Sequence, residues 1–340
     1  MSLPLVSIGI PVYNREKLVQ RAIVSAQAQT YPNLEIIVVD NCSTDRTYEI
    51  AQDYAQQDDR IKCFRNEQNL GPVPNWLRCI ELSQGDYFKI LFSDDWLEPR
   101  AIDTFIQPFQ SHPDLAFTCS SALVHLGNDI PRLQYQRLPG GLIPTADILW
   151  DYADGFWEIL TQDQVPLTPC AALFRRADAL AAFTSTLPTR SEFDCNRYGI
   201  GNDVTLYWKL CQRYSHAYYI SDPLVHFSDG QEGEAVSFTM SLCRSGQAAK
   251  LAHCYQSAFG HFLATASLSS HLKRLLTTRI LLHHLPYLHP YWIKEAIVKS
   301  APFFPENYPW WQQLHFSDPK LRPFWQPILR SSMEKVMAKF

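Results

Sequence analysis

The chain has no apolar run long enough to span a bilayer and no excess of basic residues. Its formal net charge is −4, so no overall positive field favours nucleic acid as a partner. None of its nine cysteines forms a Cys-x-x-Cys pair, and their odd number and scattered positions argue against a disulfide framework or a zinc site. We therefore expect reduced thiols and a cytoplasmic location.

Residues 1–12 also lack the basic segment of a signal peptide and are expected to lead directly into a first strand. Hydrophobic residues make up 46% of the 340 residues and charged residues 19%. This composition is typical of a folded protein with one large domain or two smaller ones.

Strand and helix signals alternate through the first 100 residues. Strands are predicted at residues 6–10, 34–39, 61–64 and 87–92, with helices between them. Pro11 is expected to stop the first strand, and Asn14 and Ser43 are expected to cap the first two helices. The continuous apolar run at 34–39 is typical of a strand buried on both faces. This order predicts an α/β fold with a doubly wound, mostly parallel sheet.

The pattern weakens between residues 120 and 170, where we expect an insertion. Beyond it we predict strands at 168–174, 218–220 and 224–227 and helices at 177–183 and from Asp203 to about residue 213. After residue 240, apolar residues recur at helical spacing and then give way to prolines and aromatics. These features predict a mainly helical C-terminal region.

Polar residues follow three of the predicted strands: Tyr13-Asn14, Asp40-Asn41 and Asp94-Asp95. Ligands of open α/β sheets bind outside the carboxyl ends of the strands, so these residues are expected to converge. Asp94 and Asp95 are suited to hold Mn²⁺ or Mg²⁺ against a diphosphate, whose charge bare carboxylates would repel. The alternative is a solvated turn or a helix cap.

Three further residues have both a functional and a structural interpretation. Asn41 could pair with a uracil or thymine edge, because an amide both donates and accepts, or it could cap the next helix. Asp203 could act as a general base or as a helix cap. His226 could be a third metal ligand or a hydrogen-bonded, partly buried residue.

Taken together, these segments resemble the family 2 glycosyltransferases. The segments that carry the resemblance are VSIGIPVYN at 6–14, EIIVVDNCSTD at 35–45, NLG at 69–71 with Asn75, GDY and SDD at 85–95, GND and WKL at 201–210, and PLVH at 223–226. Many members have Asp-Asp in place of Asp40-Asn41 and Glu-Asp in place of Asn202-Asp203.

The resemblance implies a GT-A, Rossmann-like fold and an inverting transfer from a nucleotide sugar, with UDP- or dTDP-linked donors favoured. Asp203 would be the base, Asp95 would hold Mn²⁺ or Mg²⁺, and the acceptor would be a glycan or a lipid-linked hydroxyl. His226 is a candidate further metal ligand on the grounds given above, apart from the resemblance. The donor would lie against Pro11, Val12, Tyr13, Asn14, Asp40, Asn41, Asn75 and Asp94.

The implied division is a catalytic domain at 1–235, with a nucleotide-sugar half at 1–120 and an acceptor-side half at 121–235, followed by a helical region at 236–340. C-terminal aromatics with Lys294, Lys299, Lys320 and Arg322 could associate peripherally with the inner face of a membrane, or could pack on the catalytic domain.

Two other functions are compatible with this pattern. A catalytically silent module of the same fold could hold a nucleotide or glycan for a partner, although it need not keep Asp94, Asp95 and Asp203 together. A nucleotidyltransferase could use a related sheet, but the turn after the first strand lacks a Gly-rich, basic phosphate loop.

Overall fold

The computed structural model describes residues 3–125, 131–134, 140–153, 168–184, 186–187, 195–228, 248–273 and 276. Its strands are β1 Val6–Val12, β2 Leu34–Asp40, β3 Ile61–Arg65, β4 Tyr87–Ile90, β5 Trp96–Leu97, β6 Leu115–His125, β7 Arg132–Gln134, β8 Gly141–Pro144, β9 Ala172–Arg175 and β10 His216–Ser228. Its helices are α1 Val19–Gln27, α2 Thr47–Ala55, α3 Pro72–Leu82, α4 Ala101–Ser111, α5 Thr145–Ala153, α6 Arg176–Ala182, α7 Cys195–Tyr198, α8 Asn202–Cys211 and α9 Ala248–Thr265.

The strands form one sheet in the order β3-β2-β1-β4-β9-β6-β10-β5, with β7 beside β6 and β8 beside β10. Strands β1 to β4 are parallel, and so are β6 and β10. Strand β9 runs antiparallel between β4 and β6. This mostly parallel sheet with flanking helices confirms the predicted α/β fold class.

Strand β2 shows how the sheet separates two hydrophobic cores. Ile36 and Val38 pack into one core with α1 and α4, whereas Ile37 and Val39 pack into the other with α3 and α8. All four side chains are fully buried, as the continuous apolar run predicted.

The prediction that Pro11 ends the first strand was wrong. Strand β1 continues to Val12, with Pro11 opposite Val39 and Val12 opposite Asp40. The carbonyl of Val12 points towards β2, where it accepts from the Asn41 N–H, so the ring nitrogen of Pro11 faces the β4 side. The pairing of β1 with β4 ends at Gly9 and Ile90. The missing N–H of Pro11 therefore costs the sheet no hydrogen bond.

Asn14 and Ser43 do not cap helices, because α1 begins only at Val19 and α2 only at Thr47. The two residues join their loops instead. The Asn14 N–H donates to Ser43 Oγ at 2.9 Å, and the Thr44 N–H donates to Asn14 Oδ1 at 2.9 Å.

Two later predictions also need correction. The strand expected from Thr168 starts only at Ala172, because residues Pro169–Ala171 form a 3-10 turn. The two short strands expected at 218–220 and 224–227 form one strand, β10, which shifts register on β6 around Pro223.

Helix α9 agrees with the predicted helical character of the C-terminal region, whereas residues 277–340 lie outside the described residues. The division at residue 235 stays a prediction. Within the described ranges, no helix is both long enough and apolar enough to cross a membrane.

Candidate active site

The polar residues predicted to converge do follow neighbouring strands. Strands β2, β1 and β4 lie side by side and run parallel, so their carboxyl ends share one edge of the sheet. Asp40 ends β2, Tyr13 follows β1, and Asp94-Asp95 lies a few residues beyond β4. Tyr13 is 40% exposed, which leaves its ring accessible at this edge.

Asp40 is fully buried and anchors the turn after β2. Its carboxylate accepts from the Ser43 N–H at 3.1 and 3.2 Å and forms an ion pair with Arg65 at 3.2 Å. These contacts make Asp40 a structural support for the turn that follows β2.

Asn41 lies at the centre of a buried amide network. Its Nδ2 donates to Asn69 Oδ1 (2.9 Å) and to the Gly71 carbonyl (3.0 Å). Its Oδ1 accepts from Asn66 Nδ2 (3.0 Å) and from the Leu70 N–H (2.9 Å). Both amide hydrogens and the oxygen are therefore engaged within the protein, and pairing of Asn41 with a base would require one of these bonds to break.

Asn75 belongs to the same network rather than to an open surface. It is 2% exposed, its Oδ1 accepts from Asn66 Nδ2 at 2.8 Å, and its Nδ2 donates to the Val39 carbonyl at 3.1 Å. The network ties helix α3 to the end of β2 and so shapes the loop at 66–71.

Asp95 is a buried carboxylate in an unfavourable electrostatic position. It is 6% exposed, and its burial, followed by the adjacent charge of Asp94, raises its pKa well above the usual range. The Ser228 N–H (3.2 Å), the Cys170 thiol and the charge of Lys89 oppose that rise. Lys89 is itself fully buried, and its ammonium donates to the carbonyls of Ile90 and Cys170.

A stack of side chains holds the turn that carries Asp94. Arg21 donates to the Asp94 carbonyl at 2.7 Å, and its guanidinium lies 4.0 Å from the centroid of the Trp96 ring. The Trp96 ring also stacks on the His226 ring at 4.8 Å and 7° and contacts the His125 ring at 4.6 Å. Arg21 on α1 and His226 on β10 therefore both contact Trp96 and help to hold the turn of Asp94 and Asp95, called the acidic turn below.

His226 has both ring nitrogens engaged. Its Nε2 lies 2.6 Å from Glu98 Oε1, and its Nδ1 lies 2.9 Å from His125 Nε2. A carboxylate only accepts, so Nε2 of His226 carries a proton, and in a neutral ring Nδ1 then accepts from His125. A metal role for His226 would require one of these bonds to break, and the arrangement favours the hydrogen-bonded alternative.

Asp203 is held by hydrogen bonds on both carboxylate oxygens. Oδ1 accepts from the N–H groups of Gly201 (3.0 Å) and Val204 (2.9 Å), and Oδ2 accepts from the Tyr255 hydroxyl (3.2 Å). Burial raises the pKa of Asp203 to about 7, against the lowering effect of these donors. A carboxyl with this pKa can exchange a proton near neutral pH.

One contact connects the Asp203 helix to the acidic turn, and a second connects the loop before that helix to α3. Tyr207 of α8 donates to the Thr168 carbonyl at 2.7 Å, next to the 3-10 turn whose Cys170 contacts Asp95. Gly199, in the loop before α8, has φ +73, and a Cβ there would lie 2.4 Å from the Trp76 ring. Only glycine suits this backbone at this distance, so the loop rests directly on α3.

The acidic pair fits a divalent cation only if other ligands complete the site. Among the residues that the structure describes, no group of three or more His, Cys, Asp or Glu side chains could hold a metal ion. One buried carboxylate with a second beside it matches Mg²⁺-type sites, which draw their other ligands from substrate phosphates and water. Asp95 and Asp94 are the residues that fit this description.

Several residues of this site carried no usable sequence signal. Arg21, His125 and Cys170 reach the acidic turn and Trp96 across large sequence separations. Glu98 contacts His226 of β10, and Tyr255 reaches Asp203 from α9. Asn69 and Asn75, which belong to the network around Asn41, were singled out in the sequence only through the family resemblance.

A mostly parallel sheet with acidic side chains at its carboxyl edge defines an α/β protein whose ligand site lies at that edge. Residues 7–179 match the sequence model described as "Glycosyl transferase family 2". The chain belongs to that family.

Named relatives match about a third of the chain. It is 37% identical over 117 residues to the chondroitin synthase of Escherichia coli, covering 34% of this chain and 17% of that protein. It is 37% identical over 106 residues to the GalNAc(5)-diNAcBac-PP-undecaprenol beta-1,3-glucosyltransferase of Campylobacter jejuni, covering 31% and 34%. The matched parts thus span well under half of either relative.

Among solved structures, Staphylococcus aureus TarS 1–349 in complex with UDP-GlcNAc resembles this chain with a TM-score of 0.58. The likeness covers 97% of this chain and 80% of TarS 1–349 at 17% sequence identity. At this identity the likeness shows the shared fold.

Proposed function

We propose that this chain transfers a sugar, with inversion, from a UDP- or dTDP-linked donor to a hydroxyl of a glycan or lipid-linked acceptor. The observation that carries the proposal is Asp203: a hydrogen-bonded carboxyl whose pKa is about 7, on a helix linked to the acidic edge of a family 2 glycosyltransferase sheet. Such a carboxyl has the proton affinity that a general base needs near neutral pH.

In this proposal Asp203 takes the proton of the acceptor hydroxyl. The acceptor oxygen forms a bond to the anomeric carbon while the bond from that carbon to the diphosphate oxygen breaks. Asp95, with Asp94 beside it, would hold Mn²⁺ or Mg²⁺, which when bound neutralises charge on the departing nucleoside diphosphate. In this proposal the nucleobase of the donor lies against the exposed ring of Tyr13, which follows β1.

The names of similar proteins support the proposed substrates. TarS is described in complex with UDP and with UDP-GlcNAc, which favours a uridine nucleotide donor. The name of the Campylobacter relative includes a diphosphate-linked undecaprenol glycan, which favours a lipid-linked acceptor. A cytoplasmic protein with peripheral contact at the inner face of the membrane would meet both substrates.

A thermal-shift screen followed by a product assay tests the proposal. The purified chain would be heated with Mn²⁺ and a panel of UDP-, dTDP- and GDP-sugars, since a ligand of the folded state raises the melting temperature. The stabilising donor would then be incubated with a pool of glycans and lipid-linked glycans, and nucleoside diphosphate release would be measured.

Stabilisation by a UDP- or dTDP-sugar together with diphosphate release supports the proposal. Binding without release under any acceptor pool would favour the silent module. Formation of pyrophosphate from a nucleoside triphosphate would identify a nucleotidyltransferase instead.

A further inference from the structure

A side chain of the C-terminal helix reaches the proposed base. The Tyr255 hydroxyl, on α9, donates to Asp203 Oδ2 at 3.2 Å. The other oxygen, Oδ1, accepts from the N–H groups of Gly201 and Val204. One carboxylate oxygen is therefore held by the loop at the start of α8 and the other by a helix about fifty residues further along the chain.

Helix α9 is packed firmly enough to hold Tyr255 in place. Trp208 of α8 contacts the rings of Phe259 (4.7 Å, edge-on) and Phe262 (5.8 Å). Beyond the end of α9, the Ser267 N–H donates to the Gln212 side chain at 2.9 Å. These contacts leave Tyr255 only 9% exposed, so its hydroxyl has little freedom to turn away from Asp203.

We propose that Tyr255 is a positioning residue for Asp203, so that α9 forms part of the active site. The inference rests on the proposed function, in which Asp203 accepts a proton from the acceptor. By donating to Oδ2, the hydroxyl orients the carboxylate and favours its ionised form, which is the form that can accept that proton.

The electrostatic surroundings of Asp203 are consistent with this role. Among side chains, the Tyr255 hydroxyl has the largest effect on the pKa of Asp203, and its hydrogen bond lowers that pKa. Charged groups on elements beside α8 have other partners. Asp178 of α6 is held by Arg213 and Tyr214, and His261 of α9 faces Lys209. Among residues whose side chains the structure describes, the other titratable groups on the elements packed against α8 are Asp147, Asp151 and Tyr152 of α5, Arg176 of α6, Cys119 and His125 of β6, and Cys170 of the 3-10 turn.

The Tyr255→Phe variant tests the role in catalysis, because it removes the hydroxyl and keeps the ring. With UDP-GlcNAc and water as acceptor, we expect the acid limb of the kcat profile to move up by about one pH unit. At pH 7, kcat should then fall roughly fivefold and recover towards pH 9, with KM for the donor unchanged. An unshifted limb would overturn the proposal.

Tyr214→Phe is a matched control. It removes a tyrosine hydroxyl that bonds Asp178 near the far end of α8, at 2.6 Å, and leaves Asp203 untouched. We expect its pH profile to match that of the wild type. A shift equal to that of Tyr255→Phe would assign the effect to general loosening of α8 and overturn the proposal.

Urea unfolding tests the contact without any turnover. Tyr255→Phe should lower the urea midpoint more at pH 8.5, where Asp203 is ionised, than at pH 5. In the Asp203→Asn background this pH dependence should vanish, and equal losses in both backgrounds would contradict the proposal. Should the wild type release no nucleoside diphosphate from any donor of the thermal-shift panel with the acceptor pool, the proposed function fails, and the unfolding comparison still decides the Tyr255 contact.

Discussion

Replacing Asp203 with asparagine should make the protein less sensitive to pH. Burial raises the pKa of this carboxyl from 3.8 to about 7. Between those values the folded protein binds more protons than the unfolded chain, so its free energy of unfolding falls as the pH rises. Asparagine does not titrate, and its amide oxygen can still accept from the N–H groups of Gly201 and Val204.

The size of the effect follows from the shift in pKa. The carboxyl has a pKa of 3.8 in the unfolded chain and about 7 in the folded protein. Its titration therefore lowers the free energy of unfolding by about 2 to 3 kcal/mol between pH 5 and pH 8. Asp203→Asn has no such titration. The free energy of unfolding of the variant should therefore rise by this amount relative to that of the wild type between pH 5 and pH 8. The gain is confined to the window between the two pKa values.

Urea denaturation of both proteins at half-unit pH steps measures the difference directly. In parallel, donor cleavage by the wild type should show an acid limb near pH 7, and Asp203→Asn should lose about 10²-fold or more in turnover. If the difference in the free energy of unfolding between the two proteins does not change with pH, the raised pKa of Asp203 is refuted. Near-normal turnover would remove Asp203 as the base.

Three further substitutions test the supporting structure. Asn41→Ala removes four hydrogen bonds, so the free energy of unfolding should fall by about 2 to 4 kcal/mol and nucleotide affinity should fall with it; unchanged stability in urea would refute the network. His226→Ala should lower stability by about 2 kcal/mol while Mn²⁺ affinity, measured by titration calorimetry with UDP present, stays within about threefold; a loss as large as that of Asp95→Ala would make His226 a metal ligand. Gly199→Ala should destabilise the loop by about 1 to 3 kcal/mol, since its Cβ would meet Trp76, and an unchanged melting temperature would contradict this.

The parts of the fold that sequence predicts well are those with local causes. Strand β2 is predicted by its continuous apolar run, because a strand that is buried on both faces has few polar residues along its length. Helix α1 likewise buries Val19, Ala22, Ile23 and Ala26, four apolar residues at helical spacing.

The errors have long-range causes. Asn14 and Ser43 have the chemistry of helix caps, yet their side chains serve a contact between two loops 29 residues apart. Pro11 is compatible with β1 because its ring nitrogen faces the side where the ladder to β4 has ended, which depends on the neighbouring strand. Neither fact is visible in the local sequence.

The candidate site divides in the same way. Asp94 and Asp95 stand out because they follow a strand signal at a sheet edge, and Asp203 because it follows a glycine-containing loop at the start of a helix. Arg21 and Tyr255 could not be found, because each acts through a contact that exists only after distant helices have packed.

Release of nucleoside diphosphate from the donor selected by thermal shift, measured with and without Mn²⁺, tests the central claim most directly. The wild type should release product only with the divalent ion and lose it in chelator. Asp95→Ala should lose about 10²-fold or more at an unchanged melting temperature. Equal release by the wild type in chelator, or by Asp95→Ala in Mn²⁺, would contradict a metal-assisted transfer at the acidic edge.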